Sequence, residues 1–448
     1  MNYSTEDNNI MGQLINRRRV LGGKAQYLTF TALESGTFTF TIPAAVTASY
    51  LTSVSYSTNY GVTWVTTNNS SSDVTITTPT ISAGDTVMWK GVGNQASVSN
   101  DNPTGISRFS STGTFRASGN VMSMLYGDNF LDKTSFQNGS TYNLSHLFSE
   151  CSTLMSIVGL QLPATTLTSH CYSYMFEVTP ITFAPSNLLP ATTLAECCYQ
   201  GMFSTCSSLI AVPDLPVTTL AKGCYQYMFN ACTSLTNAPI LPATTLANNC
   251  YQNMFYYCIS LTSAPQLPAT TLVNECYRSM FNSCTSLTVA PSIPATTVAS
   301  SSCYSMFYGC TNLTTAPSTL SATTLAENCY RSMFYNCENL TTVPTVSATT
   351  LATYCCAYMF KGCSKITSAP VLSATTLVSN CYHQMFYGCS KLNYIKAMFT
   401  TKPTTSYTSN WVNGVASSGT FVKNSSATWS VTGVSGVPSG WTVQTASS

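Results

Sequence analysis

The chain has 448 residues, of which 44% are hydrophobic, so it is long enough for two or three domains with a buried core. Only 7% of the residues are charged, against roughly 25% in ordinary soluble proteins, and the net charge is +2. This balance argues against binding to nucleic acid or to a membrane surface through electrostatics. No apolar run approaches the roughly 18 residues that a membrane span needs, so we expect no membrane insertion.

Residues 1–24 are predicted to form a polar arm that becomes basic towards its end. It contains Arg17, Arg18 and Arg19 and ends in Gly22 and Gly23. No apolar stretch follows the arginines, so the segment does not have the pattern of a secretory signal. We therefore expect a protein that leaves a cytoplasm only by assembly into something larger.

Residues 25–125 show short segments with a period of two, separated by turn residues. They are rich in Thr, Val, Tyr and Phe, as in LTSVSYSTNYGVTW and DTVMWKG. This spacing predicts a small β-sandwich. Residues 126–160 are expected to be a linker and an N-terminal cap, which holds a half-repeat around Phe148 and Cys151.

A unit of about 26 residues then occurs nine times. One copy, residues 241–265, reads LPATTLANNCYQNMFYYCISLTSAP. A Met-Phe pair recurs at intervals of 26 or 27 residues, beginning at Met175, Met202, Met228, Met254, Met280, Met306, Met333, Met359 and Met385. A fixed period of this length predicts a solenoid, here over residues 161–396. Residues 397–448 are expected to form a C-terminal cap that ends in a hairpin or a capping strand.

The second half of each repeat is predicted to be a short helix. Cys250, Met254 and Cys258 are spaced by four residues, and Tyr251 and Phe255 repeat that spacing one position along. On a helix these side chains share one apolar face. The helix side would need more room per repeat and would bend the stack. The predicted fold class is thus mainly β with short helices, an N-terminal β-sandwich followed by an α/β solenoid of about nine 26-residue repeats.

All 20 cysteines lie between Cys151 and Cys389, mostly at two fixed positions of the repeat. Their periodicity favours reduced thiols packed in the core, with disulfides and metal sites as alternatives. Zinc needs close pairs of cysteines, and neither Cys197-Cys198 nor Cys355-Cys356 has the two-residue gap. We expect no metal.

The polar residues predict no catalytic centre. The carboxylates share no repeat position, and His146, His170 and His383 are far apart in the stack. No phosphate loop, nucleophile elbow or zinc-protease motif is present. We expect no enzymatic activity, no catalytic residue and no cofactor.

The position directly after the repeat phenylalanine is the candidate for binding. Four copies carry a tyrosine there, namely Tyr256, Tyr308, Tyr335 and Tyr387. Exposed rings in a row could stack on sugars or anchor a protein partner. The alternative is partial burial of each ring against the next repeat.

The spacing Phe-x-x-Cys-x-x-Leu, with a helix before it and a short strand after it, resembles the BspA-like class of leucine-rich repeats. The version PATTLA…CYxxMFxxCxSLTxAP is similar to proteins of Bacteroidales and of the phages that infect them, including crAss-like phages. The resemblance covers about residues 140–440 and implies a leucine-rich-repeat solenoid. The arm INRRRVLGGK followed by a sandwich resembles the attachment ends of phage virion proteins.

The resemblance implies a non-enzymatic virion protein, a head or tail fibre or decoration for host-cell adhesion. Arg17, Arg18 and Arg19 would attach it to other virion proteins, and the solenoid would bind a host-surface glycan or protein, with a homo-oligomer as the expected assembly. A bacterial cell-surface adhesin, or a purely structural virion spacer, is the alternative.

Overall fold

A computed structural model of the protein describes residues 26–44, 51–70, 72–92, 107–136, 140–141 and 143–446. The predicted arm, with Arg17, Arg18 and Arg19, lies outside the described residues.

The N-terminal region contains two packed β-sheets. Its strands are β1 (Leu28–Ala32), β2 (Phe38–Ile42), β3 (Ser53–Ser57), β4 (Val65–Asn68), β5 (Val74–Thr77), β6 (Thr86–Val92), β7 (Arg108–Ser111) and β8 (Phe115–Asn120). One sheet has the order β8-β1-β6-β3-β4 and the other β5-β2-β7, with all these neighbours antiparallel. Phe30 of the first sheet contacts Phe38 and Phe109 of the second, with ring centroids 5.4 and 4.8 Å apart. The predicted strand-rich N-terminal region is confirmed.

This region is continuous with the solenoid. A helix of one turn, α1 (Ser123–Tyr126), and a 3-10 turn (Gly127–Asn129) follow β8. The next strands, β9 (Leu154–Ser156) and β10 (Leu160–Gln161), pair with β8 in parallel. The Phe148 ring lies 5.6 Å from Phe109 on one side and 5.6 Å from Phe176 on the other. One apolar core therefore passes from the sandwich into the repeats.

Each repeat forms one coil of the predicted solenoid, which is confirmed. Short parallel bridges join residues 26 positions apart, as in Thr219 with Thr245 and Asn237 with Ser263. In two coils a bridge extends into a strand pair, β11 (Thr319–Leu320) with β12 (Thr345–Val346). Stacked parallel bridges place equivalent residues above one another, so each repeat position becomes a row along the stack.

The prediction of a helix in every repeat is wrong. Residues 250–258 form a series of tight turns, and so do their equivalents in the other coils. Every second N–H bonds within its coil, as Met254 donates to the carbonyl of Tyr251, three residues back. The N–H groups between them donate to the next coil, as Phe255 does to Met280 at 3.0 Å. We call this part of the coil, residues 249–258 and their equivalents, the turn side.

The turns need a left-handed backbone conformation at every fourth residue. In the coil of Met254 the φ values are 60°, 55° and 59° at Asn249, Asn253 and Tyr257. A backbone that repeats every four residues gives the same i, i+4 side-chain pattern as a helix. The pattern of buried residues therefore could not separate the two, whereas the Asn and Gly at those positions, which tolerate positive φ, could have done so.

Rows of aromatic rings fill the core behind the turn side. Neighbouring phenylalanine centroids lie 5.4 to 5.8 Å apart along a row made of Phe148, Phe176, Phe203, Phe229, Phe255, Phe281, Phe307, Phe334, Phe360 and Phe386. Packed helices need about 8–10 Å between their axes. The extra room that was expected on this side is therefore not required.

All 20 cysteines are free thiols and all are buried, as the interpretation of structural thiols predicted. The thiol four residues after the Met lies 3.0–3.1 Å from the phenylalanine carbonyl of the preceding coil, as Cys284 does from Phe255. In the first full coil Thr179 replaces this cysteine, and its hydroxyl donates to the carbonyl of Phe176 at 2.7 Å. Burial raises the pKa of these thiols, for example to about 12 at Cys258.

Of the hairpin and the capping strand predicted for the C-terminal segment, the structure shows strands that continue the stack and no hairpin among the described residues. Strands β13 (Tyr394–Ala397), β14 (Thr420–Lys423) and β15 (Thr442–Thr445) pair in parallel, with a one-turn helix, α2 (Thr405–Thr408), between the first two. Parallel pairing follows because the chain makes a full coil between strands. Trp411 closes the aromatic core, with its ring centroid 6.1 Å from Phe386.

Candidate binding surface

The tyrosine row lies on the outer surface of the turn side, where its members differ in exposure. Tyr256 and Tyr387 are each 38% exposed, whereas Tyr308 and Tyr335 are half-buried. The rings of Tyr308 and Tyr335 stack on each other, with centroids 4.6 Å apart. The coil that carries Asn282 separates Tyr256 from this pair. The coil that carries Lys361 likewise separates Tyr387 from the pair, so only Tyr308 and Tyr335 are direct neighbours.

Lys361 occupies the same row between Tyr335 and Tyr387. Its Nζ lies 5.4 and 4.7 Å from the centroids of these two rings, within the range of a cation–π contact. The same amine donates a hydrogen bond to Oε1 of Gln384 at 2.7 Å. Three tyrosines and one lysine therefore form a continuous strip along the stack.

A second strip runs beside the first, at the position two residues before the Met. The guanidinium carbons of Arg278 and Arg331 lie 5.1 and 5.7 Å from the ring centroid of Tyr304, which stands between them in the stack. Arg331 also contacts Tyr354 at 4.9 Å and Tyr358 at 5.5 Å.

Tyr358 joins the two strips. Its ring centroid lies 5.5 Å from the Arg331 guanidinium and 5.5 Å from the Lys361 Nζ. The His383 ring meets it edge-on at 4.9 Å. We call the whole surface the aromatic–basic patch, which consists of Arg278, Tyr304, Tyr308, Arg331, Tyr335, Tyr354, Tyr358, Lys361, His383 and Tyr387.

The charges of the patch are not balanced within it. Arg278 pairs with Glu275 at 2.9 Å. Among the described residues, however, no carboxylate lies within ion-pair distance of Arg331 or Lys361. Nη1 of Arg331 donates to Oδ1 of Asn328 at 3.2 Å, while its buried Nε has no hydrogen-bond partner in the described part of the chain. The patch therefore presents an uncompensated positive charge.

The positive charge of the patch affects the pKa of the His383 imidazole. Burial lowers its pKa, and the positive charges of Arg331 and Lys361 lower it further. Its Nδ1 is buried and has no hydrogen-bond partner among the residues that the structure describes. The His383 ring lies on the outer side of its coil, where it packs against Tyr358.

The same rows are different in the first half of the solenoid. At the position two before the Met, Gln200 donates to Gln226 at 2.9 Å, and Gln226 donates to Gln252 at 2.7 Å. Asn249 donates to the same Gln252 oxygen at 2.8 Å. These amides satisfy one another, so the row offers no charge and no aromatic ring to a ligand.

Two repeats that depart from the pattern supply four of the tyrosines of the patch, namely Tyr304, Tyr308, Tyr354 and Tyr358. Most coils bury a tyrosine three residues before the Met, and these rings stack at about 6 Å. The coils of Met306 and Met359 have Cys303 and Cys356 there instead, and carry Tyr304, Tyr354 and Tyr358 on the outside. The sequence signal for these rings is the cysteine that replaces the buried tyrosine in both coils.

The turn side offers rings and cations as binding groups. No group of three His, Cys, Asp or Glu side chains that could hold a metal is found in the described ranges. A shallow hollow at the corner of two coils is lined by Pro190, Thr192, Pro216 and Thr218 and contains no titratable side chain. No helix of the described residues is long and apolar enough to cross a membrane.

The family model described as "BspA type Leucine rich repeat region (6 copies)" matches residues 145–288, 198–333 and 278–410. Together these matches cover more than half of the chain. The chain belongs to the BspA-type leucine-rich repeat family. BspA-type repeats are typical of non-enzymatic proteins that bind partners at a surface or outside the cell. No curated protein and no solved structure matches the chain.

Proposed function

We propose that this BspA-type protein is an adhesin-like binding protein that holds its ligand on the aromatic–basic patch. The observation that supports the proposal is the uneven distribution of rings and charges over a regular scaffold. Rings and cations replace self-satisfied amides over only part of the turn side. Packing of the coils does not require these rings and cations, because the coils of the first half stack in the same way with amides in their place.

For the setting, we propose a virion fibre or decoration of a phage that infects Bacteroidales, with the N-terminal region held by the particle and the solenoid directed at the host. The form of the repeat, PATTLA…CYxxMFxxCxSLTxAP, and the basic arm with Arg17, Arg18 and Arg19 support this setting. Many copies on one particle would multiply weak contacts into firm adhesion.

The binding proposal is tested by whole-cell binding of the purified full chain. The triple variant Tyr308→Asn, Tyr335→Asn, Tyr387→Asn uses the residue that coils with Asn230 and Asn282 carry at that position. We expect cell binding to fall at least tenfold, because the rings are the exposed apolar contacts of the patch. The control is Tyr227→Asn in the first half, which should bind like the natural protein. Unchanged binding by the triple variant would contradict the proposal.

Immunogold labelling with antibody against residues 140–440 tests the setting. Discrete label on the head or tail of purified phage particles is the expected result. Label confined to bacterial envelopes would replace the virion setting with that of a cell-surface adhesin.

A further inference from the structure

The charge of the patch indicates the chemical class of its ligand. We propose that the aromatic–basic patch binds an acidic polysaccharide, a chain of pyranose sugars that carry carboxylate or sulfate groups. The inference rests on the proposed function and makes it specific.

The cations of the patch are arranged to receive an anion. Arg331 and Lys361 both approach the ring of Tyr358, and neither has a carboxylate partner within the described residues. A guanidinium can donate two parallel hydrogen bonds to a carboxylate or sulfate. An anion bound between these groups would meet the planar guanidinium of Arg331 and the ammonium of Lys361, both of which lie against the Tyr358 ring.

Two buried polar atoms of the patch also favour a ligand with oxygen acceptors. The Nε of Arg331 and the Nδ1 of His383 are both buried, and neither has a hydrogen-bond partner in the described part of the chain. A buried polar group without a partner destabilises the folded protein. Both atoms are closed to solvent, so a ligand oxygen would reach them only if the two side chains turned outwards on binding, and such a turn would favour a ligand rich in oxygen acceptors.

The rings supply the second part of the recognition. Tyr308, Tyr335 and Tyr387 present ring surface on which the C–H face of a sugar can pack, with the hydroxyl groups left in water. Rings and charges lie in two adjacent strips along the stack. A polymer of like sugars can meet such a strip in several registers, because both surfaces repeat along one axis. Most globular protein surfaces have no such repeat, so we commit to the polysaccharide.

The experiment measures binding of the full chain to two pairs of polymers. The acidic members are polygalacturonate and dextran sulfate, and their neutral counterparts are carboxyl-reduced polygalacturonate and dextran. We expect binding to at least one acidic member and none to its neutral counterpart. Equal binding within both pairs, or no binding to either acidic polymer, would overturn the proposal. Binding only to poly-glutamate, included as an acidic peptide, would also overturn it and assign the patch to a protein partner.

Substitutions that the repeat itself contains locate the binding. Lys361→Asn and Arg331→Gln introduce residues that other coils carry at the same positions, as at Asn282 and Gln226. Each should weaken binding to the acidic polymer about tenfold, which corresponds to 1.4 kcal/mol. The matched control is Lys365→Asn, which removes an exposed lysine of the same coil that bonds to Asn339 and lies outside the patch. An equal loss in this control would show that net charge, not the patch, binds the polymer.

The two proposals can fail separately. If the tyrosine variants lose cell binding while no acidic polysaccharide binds, the patch still functions in adhesion and the ligand class is wrong. If polymer binding depends on Arg331 and Lys361 while cell binding ignores the tyrosine variants, the ligand class stands and the proposed function is wrong.

Discussion

The two halves of the solenoid share one core and differ on the outside of the turn side. The phenylalanine row runs through both halves at the same spacing, and the thiol-to-carbonyl contacts recur in both. On the surface, the first half carries a chain of glutamines that satisfy one another. The second half carries the aromatic–basic patch, in which Arg331 and Lys361 lack a carboxylate partner among the described residues.

This difference separates the residues that hold the coil from those that are free to vary. Inward positions repeat because a changed volume would disturb two neighbouring coils. Outward positions need only a side chain that tolerates the local backbone conformation. A surface that changes abruptly on an unchanged core therefore marks a place where something other than folding determines the residues.

The largest expected effect tests whether the core is indeed common to both halves. Phe229→Ala and Phe334→Ala should each cost about 3–5 kcal/mol, because each removes a buried ring from the row and leaves a cavity. Urea unfolding of the full chain measures both losses. The two should agree within about 1 kcal/mol. A loss confined to one half would show that the coils are not equivalent inside.

The pH dependence of stability tests the lowered pKa of His146, which lies at the opposite end of the turn side from the patch. Burial, and then the charge of Arg108, lower the pKa of His146 from 6.5 to about 4, although Glu150 acts in the opposite direction. The unfolded chain binds this proton as the pH falls below 6.5, whereas the folded protein does so only near 4. The stability that this neutral imidazole contributes is therefore present above pH 6.5 and is lost towards pH 4, by about 3 kcal/mol for this group.

His146→Asn should reduce this loss, since Asn accepts the positive φ of 57° found there. Urea midpoints measured at several pH values give the comparison. His383→Gln is the matched control, with a smaller expected effect because that imidazole is less buried. An acid sensitivity that is unchanged in His146→Asn would show that other groups cause it.

The salt dependence of binding tests whether the charges of the second half contact the ligand. Raising the ionic strength from about 0.05 to 0.5 M shortens the Debye length several-fold, so binding that uses Arg331 and Lys361 should weaken severalfold. The double variant Arg331→Gln, Lys361→Asn should show little salt dependence in whole-cell binding assays. Equal salt dependence in both proteins would place the responsible charges elsewhere.

The smallest effect concerns the thiol contact within the core. Cys284→Thr should cost about 1 kcal/mol, because the threonine hydroxyl can bond to the phenylalanine carbonyl of its own coil, as Thr179 does to Phe176. Cys284→Ala, which leaves the space and the contact unfilled, should cost more. The reverse order in urea unfolding would mean that the hydroxyl is not accommodated in an internal coil.

Much of the fold follows from the period of the sequence. The recurrence of the Met-Phe pair predicts the solenoid, and the fixed cysteine positions predict buried free thiols. The turn side was predicted as a helix because Cys250, Met254 and Cys258 are compatible with either backbone. Only Asn249, Asn253 and the glycines at equivalent positions carried the distinguishing signal, since they tolerate a positive φ.

The candidate site was predictable only in part. Tyr308, Tyr335 and Tyr387 stand at one repeat position and were found from it. Arg331 and Tyr358 stand at other positions of different coils, and only stacking brings them together. Aligning every outward position of the repeat, rather than one, would have shown rings and cations gathering in the same coils.

The alternating hydrogen bonds of the turn side also give the stack an electrical polarity. In each internal coil, about half of the turn-side N–H groups point towards the C-terminal neighbour, as those of Tyr251, Asn253 and Phe255 do. Aligned peptide dipoles add, with the positive end in the direction of the N–H bonds. The resulting dipole has its positive end towards the C-terminal coils and its negative end towards the sandwich. Further coils inserted between the two ends would lengthen this dipole without changing its direction.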